Sequence, residues 1–158
     1  MDIAYLSTEL GVIEIQGEDS VIRAVQFLDR DEYSRTIPAA LAESVRQLDE
    51  YFSGKRQTFE LMFDPIGTEF QKRVWKELLK IEYGTTISYL ELALRLGDEK
   101  AVRAVGGANG KNPIAIMIPC HRVIGATGKL VGYGGGMERK RWLLKHELMH
   151  AKPEGMLF

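Results

Sequence analysis

A single cysteine, Cys120, is all the thiol this chain possesses, which excludes an intramolecular disulfide. Three histidines and no Cys-x-x-Cys are too few ligands for a structural zinc site, so neither metal nor cofactor is expected. Missing too is any apolar stretch of the length a bilayer requires, and no membrane partner is expected. The start, Met1-Asp2-Ile3-Ala4, lacks the basic segment of a signal peptide, so the expected location is cytoplasmic and reducing. Net charge is nearly absent as well: 21 Lys and Arg face 22 Asp and Glu, a formal −1.

That near-zero balance hides a split. Residues 1–67 hold 6 Lys and Arg against 13 Asp and Glu, a formal −7, whereas residues 68–150 hold 14 against 8, a formal +6. A basic half suits a polyanion partner, although charged helix faces also serve simply to solvate a surface.

The chain has one place where chemistry concentrates. The apolar run Ile114-Ala115-Ile116-Met117-Ile118 ends at Pro119, which cannot continue a ladder, and Cys120-His121-Arg122 follow. This pattern predicts a buried strand with the thiol at its exit. His121 and Arg122 add proton-accepting and positive character, which favours the reactive thiolate. Taken alone, a cysteine such as Cys120 is more often a packed hydrophobe than a nucleophile.

Around that place the elements can be sketched. Ile3 to Leu6, Val12 to Ile15 and Val21 to Leu28 read as strands, the last two separated by the turn residues Gly17-Glu18-Asp19-Ser20. Pro38 opens a helix with Leu41, Val45, Leu48 and Phe52 on one face, and Thr58 to Phe63 reads as a returning strand. Asp64-Pro65-Ile66-Gly67 marks a boundary, giving domains at 1–66 and 67–150 and a tail at 151–158. Past it, Thr68 with Gln71, and Ser88 with Glu91, have capping-box spacing. Two short helices broken at Gly97, the second capped by Asp98 and running to about Ala108, predict a helix-turn-helix, a pattern that ordinary helical bundles share. In that second helix Ala101, Ala104, Gly107, Ala108 and Gly110 leave a small surface around Arg103. Such a face permits close approach to a groove, or equally close packing against another helix.

Taken in order, these residues resemble the O6-alkylguanine-DNA alkyltransferases. The resemblance rests on Gly67-Thr68-Glu69-Phe70-Gln71, Tyr83-Gly84-Thr85-Thr86-Ile87-Ser88-Tyr89, Ala101-Val102-Arg103-Ala104-Val105-Gly106-Gly107-Ala108 and Lys111-Asn112-Pro113. It continues through Pro119-Cys120-His121-Arg122-Val123, Gly132-Tyr133 and Lys140-Arg141-Trp142-Leu143-Leu144-Lys145-His146-Glu147. It implies an α/β fold: a small ribonuclease-H-like N-terminal sheet with a helix, then a mostly helical C-terminal domain with the helix-turn-helix. It implies irreversible transfer of an alkyl group from O6-alkylguanine in double-stranded DNA to the protein's own cysteine, once per molecule and after base flipping. The resemblance leaves open whether O4-alkylthymine is accepted as well, and the expected state is a monomer.

The same resemblance implies roles residue by residue. Cys120 is the acceptor, His121 the base, Glu147 its carboxylate, Asn112 the group orienting the Cys120 segment, and Tyr89 the donor to the leaving guanine. Arg103 replaces the extruded base, with Ala101, Ala104, Gly107, Ser88 and Arg122 as further DNA contacts; Tyr133, Gly134 and Lys140 belong to the base pocket. Ala115 and Gly134 depart from relatives that have proline and serine there. Two rival readings remain, a DNA-binding module with a structural cysteine and a Cys–His hydrolase that turns over repeatedly.

Overall fold

A two-residue turn forces the first hairpin. Gly11 takes φ +109°, and the Thr8 hydroxyl accepts from the Leu10 N–H and donates to the Gly11 carbonyl. It joins β1 (Asp2–Thr8) to β2 (Gly11–Glu18), antiparallel with Ala4 opposite Ile15. Asp19 and Ser20 both adopt left-handed φ, 52° and 67°, the twist-matched geometry for a tight hairpin, and lead into β3 (Val21–Leu28). A register shift at Gln16/Gly17 accompanies that turn. Gly17 is required there, since a Cβ would stand 2.6 Å from the Val21 carbonyl oxygen.

This computed structural model describes residues 1–31, 33–125, 128 and 132–151. Its first unit comprises Met1–Gly67 and, out of sequence, Pro113–Met117. One face of the sheet buries Ala4, Ile13, Ile15 and Ile22, and α1 (Ala42–Phe52), entered through a 3₁₀ turn at Ala39–Leu41, buries Leu41, Val45 and Leu48. The expected returning strand at 58–63 shrinks to β4 (Met62–Phe63), parallel to β3, with Met62 exposed. Beyond it on the same edge, Val25 donates to the Pro113 carbonyl at 2.9 Å and accepts from Ala115 at 3.0 Å.

The run from Ile114 to Ile118 is not a strand. After the single bridge at Ile114 the chain turns: Ile116 has φ +70°, and the Met117 N–H reaches back to the Ala115 carbonyl at 2.8 Å. Pro119, at φ −82° and ψ 63°, centres a second three-residue turn, with the Cys120 N–H on the Ile118 carbonyl at 2.8 Å. The apolar character that suggested a ladder serves burial instead: Ile114, Ile116, Met117 and Ile118 are all buried.

The second unit, Thr68–Asn112 with Ile118 onward, begins at α2 (Glu69–Leu78). Thr68 and Gln71 form the expected capping box, at 3.1 and 2.9 Å. Val74, Trp75 and Leu78 are buried on its inner face, and the Trp75 indole N–H donates to the Ala108 carbonyl at 2.8 Å. The β5 pair of residues (Ile87–Ser88) leads into α3 (Tyr89–Arg95); Gly97, at φ +85°, turns the chain, Asp98 caps a 3₁₀ turn at Glu99–Ala101, and α4 (Val102–Gly110) follows. This is the expected helix-turn-helix, with α4 packed on α2 and α3. The chain after the cysteine returns as β6 (Val123–Ile124), parallel to β5, and α5 (Met137–His150) closes the unit.

Candidate active site

Because Pro119 reverses the backbone just before it, Cys120 starts a 3₁₀ turn, Cys120–Arg122, whose three side chains are all buried. Two amides hold this turn by its backbone. The Asn112 Nδ2 donates to the Ile118 carbonyl at 2.8 Å, and the Asn109 Nδ2 to the Cys120 carbonyl at 3.3 Å. Asn112, expected to orient the cysteine segment, thus bonds the carbonyl two residues before Cys120. Asn109 was not among the expected site residues, although its spacing of three from Asn112 is the signal that both amides reach the same segment from the end of α4.

Burial pushes the Cys120 thiol up from its ordinary pKa, while a hydrogen bond from Asn112 and the Lys140 charge pull the other way. At rest the group is a thiol, so a base is needed. His121 is fully buried, and its Nε2 lies 2.7 Å from the Glu147 Oε2. An ionised carboxylate can only accept, which assigns the ring proton to Nε2 and leaves Nδ1 as the acceptor. That Nδ1 is buried and has no hydrogen-bond partner among the described residues. Burial lowers the His121 pKa, Glu147 opposes this, and the Arg122 and Lys140 charges reinforce it, so the imidazole is neutral. Burial by itself would raise the Glu147 pKa. The imidazole and the Arg122 guanidinium outweigh that and hold it far below the carboxylate range.

Arg122, expected to contact DNA, faces inward instead. Only 7% of it is exposed, its Nε and Nη2 grip Glu147 at 2.7 and 3.0 Å, and its Nη1 donates to the Ile81 carbonyl at 2.6 Å. With every terminal nitrogen of the fork engaged inside the unit, it is not available to a phosphate. Its partner lies 25 residues away, beyond the reach of any local spacing rule.

Tyr89, Gly106, Gly110, Gly132, Tyr133 and Gly134 line a cleft of about 490 Å³, and Cys120 is not among these lining residues. The glycines keep the cleft open. A Cβ on Gly106 would stand 3.6 Å from the Tyr89 ring, one on Gly132 3.8 Å from the Tyr89 hydroxyl, and one on Gly134 3.8 Å from the Gly110 carbonyl. Burial raises the pKa of both tyrosines, opposed at Tyr89 by a hydrogen bond with Asn109, and a thiolate at Cys120 would raise both further, so each hydroxyl remains a proton donor. The Tyr133 hydroxyl is buried and finds no partner among the described residues. Lys140 is fully buried under the turn, its Nζ 2.7 Å from the Val123 carbonyl.

On α4, Arg103, Ala104, Gly107 and Gly110 are exposed and Ala101 is half-buried, whereas Ala108, expected on that surface, is buried against α2 through the Trp75 contact. Nothing lies within 4 Å of where a Cβ on Gly107 or Gly110 would be. The Ser88 hydroxyl caps α3 by accepting the Glu91 N–H at 3.0 Å, which leaves its own hydrogen to donate.

Two family profiles match this chain: the 6-O-methylguanine DNA methyltransferase ribonuclease-like domain over residues 1–65, and the DNA-binding domain of the same proteins over residues 69–149. The chain belongs to the 6-O-methylguanine DNA methyltransferase family. A methylated-DNA–protein-cysteine methyltransferase of Mycolicibacterium paratuberculosis is 47% identical to it, over 97% of this chain and 96% of that one. The crystal structure of the Mycobacterium tuberculosis O6-methylguanine methyltransferase superposes with a TM-score of 0.87 at 44% identity, covering 98% of this chain and 96% of that one. The structure of the M. tuberculosis protein in complex with DNA gives 0.85 at 47% identity, covering 92% of each. Family membership accounts for both the α/β first unit and the helix-turn-helix of the second.

Proposed function

We propose that this chain repairs DNA by removing the alkyl group from O6-alkylguanine and retaining it on Cys120. The observation that carries the assignment is the lone cysteine set on one turn with a neutral His121, itself paired to Glu147, in the same unit as a glycine-lined cleft adjoining α4. The His121 Nδ1 takes the thiol proton, directly or across one water. The sulfur then attacks the alkyl carbon, an S–C bond forms, and the C–O6 bond breaks with its electron pair left on the guanine. Tyr89 donates its hydroxyl proton to that guanine and recovers one relayed from the imidazolium. The product is an unmodified base and a thioether, which has no leaving group to release it, so each molecule acts once.

A guanine inside a duplex is out of reach of the cleft and must be extruded, at a cost of a few kcal/mol for unstacking. The small exposed face of α4, with Ala101, Ala104 and Gly107, suits the minor groove, and Arg103 would take the place of the departed base. Ser88 supplies a phosphate contact and Tyr133 and Gly134 border the base, whereas Lys140, expected there too, is fully buried with its Nζ on the Val123 carbonyl. We assign to it alkylated double-stranded DNA as partner, a monomeric state, residues 67–150 as the acceptor domain and the cytoplasm as location. No helix among the described residues is long and apolar enough to cross a membrane.

Intact-protein mass after incubation with a duplex holding O6-methylguanine tests this reading. The expected result is one added methyl on the peptide containing Cys120, none on Cys120→Ser, and duplex binding retained by that variant. Unchanged mass with tight binding would make the chain a binding module, and product beyond one equivalent would make it a hydrolase. In the same assay Arg103→Ala should slow reaction with duplex far more than with the free alkylated base; equal slowing would remove Arg103 from base extrusion.

A further inference from the structure

The nucleophile, its base and a third charged side chain occupy consecutive positions on one 3₁₀ turn. Cys120 and His121 belong to the transfer chemistry, and Arg122 has no part in it so far. Its side chain is nevertheless held from several directions. The guanidinium grips both oxygens of Glu147, donates to the Ile81 carbonyl, and lies 5.6 Å from the centre of the Tyr83 ring. Glu147 in turn serves two partners. Its Oε2 is shared between the His121 Nε2 and the Arg122 Nη2, while its Oε1 takes the Arg122 Nε and, at 3.5 Å, the Gly84 N–H.

Resting on the transfer reading above, we infer that Arg122 is a positioning residue for alkyl transfer: by neutralising and orienting Glu147 it lets the carboxylate fix the His121 ring without capturing a proton onto it. The electrostatics follow from the arrangement. A buried carboxylate facing an imidazole with no other cation would form an imidazolium–carboxylate pair, and an imidazolium cannot take the thiol proton. A guanidinium clamped across the same two oxygens offsets that charge. The groups facing His121 are Glu147 and Lys140 from α5 and Cys120 and Arg122 from its own turn, with Tyr83, before β5, against the Glu147–Arg122 pair. Of these, Arg122 alone holds both carboxylate oxygens.

The test is the pH dependence of single-turnover methyl transfer for the wild type, Arg122→Lys and Arg122→Met, with duplex binding measured alongside. Removing the clamp raises the proton affinity of His121, so the acid limb of the Arg122→Met profile moves to higher pH and the rate near neutrality falls at least roughly tenfold. Arg122→Lys, which keeps the charge but not the fork, should restore the position of the limb in part. Adding Arg122→Met to Glu147→Gln should move the limb clearly less than Arg122→Met moves it when Glu147 is present, because only the direct repulsion between the guanidinium and His121 is then lost. Loss of rate at every pH with the limb unmoved would make Arg122 a structural strut and overturn the inference. So would a limb displaced equally with and without Glu147. Should Arg122→Met not fold, Arg122→Lys decides alone, since an unshifted limb and unchanged rate in it refute the fork. Absence of transfer by the wild type would instead defeat the underlying reading.

Discussion

Glu147→Gln removes one charge and almost no volume, so its effect isolates the electrostatics of the buried network. In the folded chain the carboxylate accepts from the His121 Nε2 at 2.7 Å and from two Arg122 nitrogens at 2.7 and 3.0 Å. An amide has one accepting oxygen and one donating nitrogen, so at least one of those donors must face another donor. Arg122 remains charged because its guanidinium cannot lose a proton, and it keeps only neutral acceptors, the Ile81 carbonyl and at most the amide oxygen. Stranding one member of a buried ion pair costs about 3–5 kcal/mol. At about 2–4 °C per kcal/mol for a chain of this size, the melting temperature should fall by roughly 10 °C. Methyl transfer should fall at least about a hundredfold, because the imidazole loses the partner that fixes its tautomer. Calorimetry on the wild type, Glu147→Gln and the double variant Glu147→Gln with Arg122→Met supplies the check. The double variant no longer strands a cation and should recover much of the lost stability. A single variant melting within about 2 °C of the wild type would refute the reasoning, since a bidentate buried pair cannot be lost that cheaply.

Acid should weaken the second unit in two stages. Burial holds the His121 pKa below its ordinary 6.5, so the unfolded chain takes up that proton first; stability is whole above that value and declines as pH falls past it. The depressed Glu147 pKa adds a second decline below its ordinary 4.5. A melting temperature that stays flat from about pH 7.5 to about pH 5 would contradict the His121 assignment, and one with no further loss below about pH 4.5 would contradict that of Glu147. Gly84→Ala and Gly97→Ala form a matched pair, because both glycines sit at positive φ, +78° and +85°. At Gly84 a Cβ would also lie 2.3 Å from the Ala151 Cβ, whereas at Gly97 nothing stands within 4 Å. Urea midpoints should show Gly97→Ala losing about 1 kcal/mol from backbone strain and Gly84→Ala clearly more, and equal losses would show that the contact with Ala151 is relieved without cost.

The local devices of this fold are the ones its sequence displays openly. Thr68 with Gln71, Ser88 and Asp98 cap the elements their spacing indicates, because capping is a transaction within three or four residues. Asp19 and Ser20 turn the hairpin for the same reason. What stayed hidden depends on partners far along the chain. A run of Ile and Met before Pro119 is apolar whether it makes a strand or two tight turns, and only the left-handed Ile116 separates the two. Arg122 reads as a surface cation until Glu147 and the Ile81 carbonyl are brought to it by α5 and by the loop after α2. The buried side of α4 is similarly decided by Trp75, so Ala108 is packed while its neighbour Gly107 is bare.

The excursion of Pro113–Met117 into the first unit has a practical meaning for anyone dividing this protein. Residues 113–117 complete the edge of β3 through the Val25 backbone, and Ile114 and Ile116 are almost wholly shielded there. A fragment starting at Thr68 would expose both isoleucines to water only a few residues upstream of the reactive sulfur. Cutting the chain at its apparent seam should thus yield a sticky acceptor half with a loosened nucleophile, and co-expressing the missing piece should be the remedy.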